Sequence, residues 1–137
     1  MLALPAFLLV SCAKKATFRG HAFVAIASEE GGSVAAVDLE VLAVSKHIPI
    51  EGSPSQVVAA RTKAAVYALT PATGTIHEID TGALKLARKT TVGAHADSIH
   101  LSADEKTLYV VSQEAQTLTA LSTEPLQPTW TMKLPES

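Results

Sequence analysis

The residues best placed to do chemistry are few, and the tightest group of them is His95-Ala96-Asp97 with His100 close behind. A histidine and an aspartate two places apart can polarise a water molecule or contribute to a metal site. The same spacing also describes a loop histidine beside an aspartate that caps a turn, and that plainer reading is adopted. His77 and Glu78 are adjacent in a strand-like run, so they face opposite sides and cannot act on one substrate. Glu29-Glu30 reads as a solvated loop. None of the five histidines stands at metal-ligand spacing with a cysteine or a second histidine on a helix. The sequence has no G-x-S-x-G, C-x-x-C, H-E-x-x-H or glycine-rich phosphate loop. No catalytic residue, metal or cofactor is therefore expected.

What must position these residues is a chain of 137 residues, 47% hydrophobic and 18% charged, enough for one globular domain. A net charge of −2, with no basic run longer than Lys14-Lys15 or Arg88-Lys89, gives no footprint for nucleic acid. The single Trp130 supplies no stacking surface for bases. Asn is absent, so Gly, Asp, Ser and Thr must fill the turn positions.

Residues 98–122 alternate short Val/Leu/Ile/Tyr/Thr runs with small or charged turns, the pattern of antiparallel strands. A shift of 42 places lays the chain on itself without a gap: Val24 meets Val66 and Leu108, and Val34 meets Ile76 and Leu118. Val37, Ile79 and Leu121 align, as do Asp38 with Asp80 and Gly32 with Gly74. A period of this length with four short strands per unit means propeller blades. Strands are expected near 23–27, 34–38, 44–50, 56–60, 65–69, 75–80, 86–92, 98–101, 107–112, 117–122 and 129–134. Residues 55–69 could be drawn as an Ala-rich helix, but the equivalent 97–111 contain Thr107-Leu108-Tyr109-Val110-Val111, a poor helix former. The wholly apolar runs 22–27, 65–69 and 108–111 should be buried on both faces, and the charged runs 44–50, 86–92 and 129–134 should lie outermost. The expectation is all-β: about 2.7 blades, each a four-stranded antiparallel meander, in an incomplete propeller over 22–137 that begins at a second strand.

Ile99, Leu101, Ser102, Asp104, Lys106, Leu108, Tyr109, Val110, Thr117, Leu118 and Leu121 also carry a resemblance to the YVTN-type β-propeller repeat. Ala103 replaces that pattern's Pro, Glu105 its Gly, Ser112 its final Asn and Ser122 its Asp. The resemblance implies one of three roles: a binding scaffold, a fragment of a lactonase-like or periplasmic dehydrogenase or reductase propeller, or a structural surface repeat. The lack of Asn weakens a lactonase-type metal site, and the lack of C-x-x-C-H weakens a haem subunit. A non-enzymatic scaffold, part of a longer propeller, ranks first.

In propellers the loops entering the innermost strands and those joining second to third strands gather at one mouth. By the repeat these bring together Glu29, Glu30, Ser55, Gln56, His95, Asp97, Gln113 and Glu114. Four carboxylates against one histidine would suit a small cation or a cationic protein partner better than a phosphate.

The first twelve residues, MLALPAFLLVSC, hold a nine-residue apolar run from Leu2 to Val10, far short of the roughly 20 needed to span a bilayer. Leu9-Val10-Ser11-Cys12 resembles a bacterial lipobox, although no Lys or Arg precedes the run. That resemblance implies a signal peptide over 1–11, lipidation of Cys12, a tether over 12–21 and a membrane partner reached through the anchor. The expected address is the cell envelope on its periplasmic side, with the outer membrane favoured because Ala13, not Asp, follows the Cys.

Overall fold

The computed structural model describes residues 20–136. The proposed signal peptide, Cys12 and nearly all of the tether lie outside the described residues.

Within them the chain forms eleven strands: β1 His21–Ile26, β2 Gly32–Asp38, β3 Ala43–Ile50, β4 Gln56–Ala59, β5 Ala65–Thr70, β6 Thr75–Asp80, β7 Lys85–Thr91, β8 Ser98–Leu101, β9 Thr107–Ser112, β10 Thr117–Thr123 and β11 Leu126–Lys133. They make three antiparallel meanders, β1-β2-β3, β4-β5-β6-β7 and β8-β9-β10-β11. All eleven expected strands are present, and 55–69 is two strands. Strand β1 starts at His21, inside the expected tether, because His21 still finds a partner in Asp38. Strand β11 starts at Leu126, because an outermost strand can hold Pro128 where no further strand needs its missing N–H.

The 42-residue period governs the backbone as well. A register shift falls at Ala36/Val37, at Glu78/Ile79 and at Ala120/Leu121, the same place in every third strand. In the first and third sheets a hydroxyl closes the bulge, Ser45 Oγ donating to the Ala36 carbonyl and Thr129 Oγ1 to that of Ala120, both at 3.0 Å. The following turns are capped alike. Asp38 Oδ1 accepts from the Glu40 N–H at 2.8 Å, and Asp80 Oδ1 from Gly82 and Ala83 at 2.8 and 2.9 Å. Ser122 Oγ does the same for Glu124 at 3.3 Å.

Side-chain alternation divides the second sheet between two cores. Val66, Ala68 and Ile79 pack against Val34, Ile48 and Ile50 of the first sheet. Ala65, Tyr67, Leu69 and Ile76 pack against Ile99, Leu108, Val110 and Leu121 of the third. Burial on both faces holds only for the middle one of the three apolar runs. Strand β5 is buried throughout, whereas β9 is buried on one side only and β1 is at most half-buried, because the described residues place a sheet against one of their faces and not the other.

Polar links add to these cores. Glu105 sits at φ 59°, a left-handed conformation unusual for a residue with a Cβ. Its carboxylate reaches into the turn between β4 and β5 and accepts from the Arg61 N–H, the Thr62 N–H and the Thr62 hydroxyl. Nearby, Thr123 Oγ1 donates to the Glu105 carbonyl at 2.8 Å. Glu78, buried, binds Arg88 Nη2 at 2.8 Å, and Arg88 extends to the Thr123 carbonyl at 3.4 Å.

Those donors, the Thr62 hydroxyl first and the Arg61 N–H next, hold the Glu105 carboxyl below its ordinary value of 4.5. A depressed folded-state value contributes stability that is complete above the unfolded value and lost as pH falls through the folded one. Glu105→Gln should therefore lower Tm. The deficit relative to wild type should be greatest above pH 4.5 and shrink below it. Thermal melts across that range check this, and a deficit independent of pH would remove the carboxylate from the account.

Candidate functional site

Strand register decides which loops share an end. Gly32 pairs with Ile50, Gln56 with Leu69, Thr70 with Thr75, Thr75 with Thr91, Ser98 with Val111 and Thr117 with Ser112. The connections 27–31, 51–55, 71–74, 92–97 and 113–116 therefore open at the same end of the three sheets. The turns carrying Asp38, Arg61, Asp80 and Glu105 lie at the other.

Glycine lets these loops pack backbone against backbone. Gly74, at φ 63°, lies so close to the Gly93 carbonyl that a Cβ would fall 1.6 Å from its oxygen. Gly32 donates its N–H to the Gly52 carbonyl at 2.7 Å, with Pro54 filling the space a side chain would need. Ser53 Oγ ties the linker to the first turn through the Ser28 carbonyl at 3.1 Å.

On this frame the eight expected residues have unequal fates. Glu29 and Glu30 are exposed in the β1–β2 turn, and Ser55 is exposed in the first linker. Gln56 is occupied: its Nε2 donates to the Ile99 carbonyl at 3.0 Å while its Oε1 accepts from the Ile99 N–H at 2.9 Å. It clamps the innermost strands β4 and β8 together, with one donor and one acceptor of its amide committed to Ile99. Asp97 is a turn cap, with Oδ2 accepting from the Gln113 N–H at 2.5 Å, as the plainer reading of the sequence has it. His95, at φ 61°, places Nδ1 3.2 Å from Glu114 Oε2, and both side chains are well exposed. Its carbonyl accepts from Ser112 Oγ at 2.9 Å, which fixes the loop beneath it.

His95, Asp97, Gln113 and Glu114 thus form one cluster over the third sheet, and Glu29 and Glu30 a separate one over the first. No hydrogen bond or ion pair joins the two among the described residues. His100 lies apart, on β8, 3.3 Å from Ser98 Oγ. No group of three or more His, Cys, Asp or Glu side chains among the described residues could hold a metal ion.

The structure adds a polar arrangement that the sequence did not suggest. Glu51, His77, Leu86, Ala87, Arg88 and Lys89 line a cleft of about 370 Å³ on the outer part of the second sheet. Lys89 Nζ and Glu51 Oε2 are 2.9 Å apart across it. His77 is buried, which pushes its pKa down, with Nε2 3.5 Å from Thr70 Oγ1. Its Nδ1 and the Tyr67 hydroxyl make no hydrogen bond to a described residue. Only the strand period carried a trace of this, in placing His77 and Glu78 on opposite faces.

No protein-family model matches the sequence, and no curated protein does. Solved structures similar to the chain include Kuenenia stuttgartiensis hydrazine synthase, at TM-score 0.67 and 19% identity, covering 72% of this chain and 29% of that one. Apo AztD from Citrobacter koseri gives TM-score 0.66 and 14% identity over 85% of this chain and 33% of its own. The dihydro-heme d1 dehydrogenase NirN in complex with DHE gives 0.69 and 14%, over 84% and 28%. The chain folds as part of a β-propeller. It spans about a third of the length of these structures, with three blades among its described residues, one of them three-stranded. At such identities the likeness concerns the fold alone.

Gln56→Ala should leave the Ile99 N–H and carbonyl without partners and cost roughly 1–3 kcal/mol for such unsatisfied groups. Gln56→Glu keeps the acceptor but sets a carboxylate against the Ile99 carbonyl, so it should destabilise as well. Urea unfolding measures both, and wild-type stability in the alanine variant would rule out the clamp.

Proposed function

We propose that this chain is a lipid-anchored protein of the bacterial cell envelope, with a YVTN-like propeller that binds a cationic partner at the mouth and performs no chemistry of its own. The observation that carries the reading is the strand register. It brings Glu29, Glu30, Asp97 and Glu114 to one end of the sheets, with His95 the single imidazole among them. Binding residues sit on loops held by a rigid scaffold, and these loops are held by backbone hydrogen bonds and close glycine contacts. The ligating groups are dispersed over two blades, which favours a protein or peptide carrying several positive charges over a single metal ion. Anchoring through Cys12 would tether the chain at the end opposite the mouth, because β1 begins at His21 beside Asp38. It would so turn the mouth away from the membrane surface, on the periplasmic side and in the outer membrane by the reading of Ala13.

The second reading, a propeller portion of a redox enzyme, is favoured by the hydrazine synthase and dihydro-heme d1 dehydrogenase among the similar structures. A haem or quinone absorbance band in protein purified from its source would decide for it.

Two measurements test the first reading. Wild type should fractionate with membranes, and Cys12→Ser should move it to the soluble periplasm; equal soluble recovery of both removes the anchor. Neutralising Glu29, Glu30 and Glu114 to Gln should weaken binding of an oligolysine peptide by up to about fivefold per site, with the loss screened out by salt. Unchanged affinity in the triple variant would dismiss the mouth as the binding surface.

A further inference from the structure

At the outer part of the interface between the first two sheets the repeat changes character. Glu51, His77 and Lys89 there hold the repeat positions of Gly93, Thr119 and Thr131 in the next interface. In that next interface the polar groups satisfy one another. Thr119 Oγ1 and Thr131 Oγ1 share a hydrogen bond at 3.0 Å, and Ser112 Oγ, in the place of Thr70, donates to the His95 carbonyl. Between the first and second sheets one group is left over. The Thr70 hydroxyl donates to the Glu51 carbonyl at 3.3 Å, since a carbonyl can only accept. Towards His77 Nε2, 3.5 Å away, Thr70 is therefore the acceptor, and the ring hydrogen sits on Nε2. Nδ1 is then a bare lone pair on a side chain only 1% exposed, with no donor among the described residues. Burial first, and the Lys89 charge next, hold the ring's pKa down, so protonation does not relieve it. A buried acceptor in this state is costly unless something brings it a donor.

The surroundings indicate what molecule carries that donor. His77 forms part of the floor of the cleft of about 370 Å³, a size ordinary for small-molecule sites. Lys89 and Glu51 stand at its rim, paired at 2.9 Å with side chains 61% and 80% exposed, and a pair so exposed is readily parted. Leu86, 41% exposed, and Ala87 give the cleft an apolar wall. Arg88 lines it too, but its guanidinium is committed to Glu78 and the Thr123 carbonyl. We propose that this cleft binds a free α-amino acid with an apolar side chain. The ligand's ammonium group donates to His77 Nδ1 and pairs with Glu51, its carboxylate pairs with Lys89, and its side chain lies on Leu86. A zwitterion exchanges one exposed ion pair for two, whereas a simple anion or cation would leave Glu51 or Lys89 without its partner. The site shares no residue with the mouth and stands whatever binds there. Further blades of a longer chain would stack on the outward faces of the first and third sheets and leave this cleft, between the first and second, as it is.

The test is calorimetric titration of the full 137-residue chain, in nonionic detergent, with L-leucine. Saturable binding with a Kd on the order of 0.1 mM is expected, ordinary for a ligand of so few atoms. Isocaproate, which lacks the ammonium group, and isoamylamine, which lacks the carboxylate, should each bind at least about tenfold more weakly. Lys89→Gln and Glu51→Gln, both at exposed side chains, should each weaken L-leucine by about fivefold. His77→Thr, which carries the residue type of Thr119, should keep the fold and weaken it by more than about tenfold. If that variant fails to fold, nitrogen NMR of the histidine rings in the wild type serves instead. L-leucine should then shift the Nδ1 signal of His77 and leave those of His95 and His100 in place. No saturation up to about 10 mM L-leucine, a hundredfold above the expected Kd, would overturn the proposal. So would equal binding of either analogue, or unchanged affinity in both rim variants. A His77 signal that L-leucine leaves unmoved would assign Nδ1 to a bound water alone and overturn it too.

Discussion

A four-stranded sheet that is apolar on both faces cannot stand alone in water, and face-to-face packing of successive blades is the constraint on which the rest of this structure depends. Val24, Val66 and Leu108 hold one repeat position, yet Val24 is 47% exposed, Val66 1% and Leu108 0%. The difference lies in whether the described residues place another blade against that face. Full burial of such a side chain contributes about 1.5–3 kcal/mol, so each added blade stabilises the one before it through several residues together. Strand β5 shows the result, with six residues in a row withdrawn from water and divided by parity between two interfaces.

Apolar packing of this kind is permissive about angle, and the polar links supply what it lacks. The second and third blades are joined near the axis by Gln56 to Ile99, at the lower turns by Glu105 to Arg61 and Thr62, and at the periphery by Arg88 to Thr123. Three attachments at three radii fix one blade's rotation on the next. Each link sets a side chain from one blade against backbone groups of its neighbour. The pair of buried Glu78 and half-exposed Arg88 is tied into the same system, its charge neutralised locally and its arginine anchored by the next blade's carbonyl.

The features legible in the sequence were those set by periodicity and local turn chemistry. A period shared by Val34, Ile76 and Leu118, with an Asp or Ser at each third-strand end, located every strand and the order of the blades. Burial was legible only where neighbours exist on both sides, since an apolar run states what a strand needs and not what surrounds it. The links were illegible for a related reason. Gln56 looked like a mouth residue because it lies at a loop-to-strand junction, but its role depends on Ile99, one repeat further along the chain. Glu105 stood out only as a departure from the glycine of the repeat it resembles. Its carboxylate explains the departure, because three donors of the adjacent turn offset the left-handed backbone that glycine would have adopted more easily.

The two ends of the sheets handle the left-handed backbone differently, and this bears on where binding can evolve. At the lower end Leu42, Leu84 and Glu105 adopt positive φ in turns that also hold capped aspartates or the latch, so backbone and side chains there are committed to structure. At the upper end Gly31, Gly52, Gly74 and Gly93 take that role, and loops cross so closely that Gly74 has no room for a side chain. On these loops Ser53, Pro54 and Asp97 hold the structure together, while Glu29, Glu30, His95, Gln113 and Glu114 face solvent. His95 and Gln116 are the residues with side chains that hold positive φ at this end, and they flank the cluster containing Glu114. A left-handed conformation costs roughly 1–2 kcal/mol for a residue with a Cβ. The turn could carry glycine at His95 without that cost. The Ser112 bond to its carbonyl fixes the backbone at His95, and the exposed imidazole lies 3.2 Å from the Glu114 carboxylate. Backbone strain therefore converges with exposure and charge on the same few residues of the mouth.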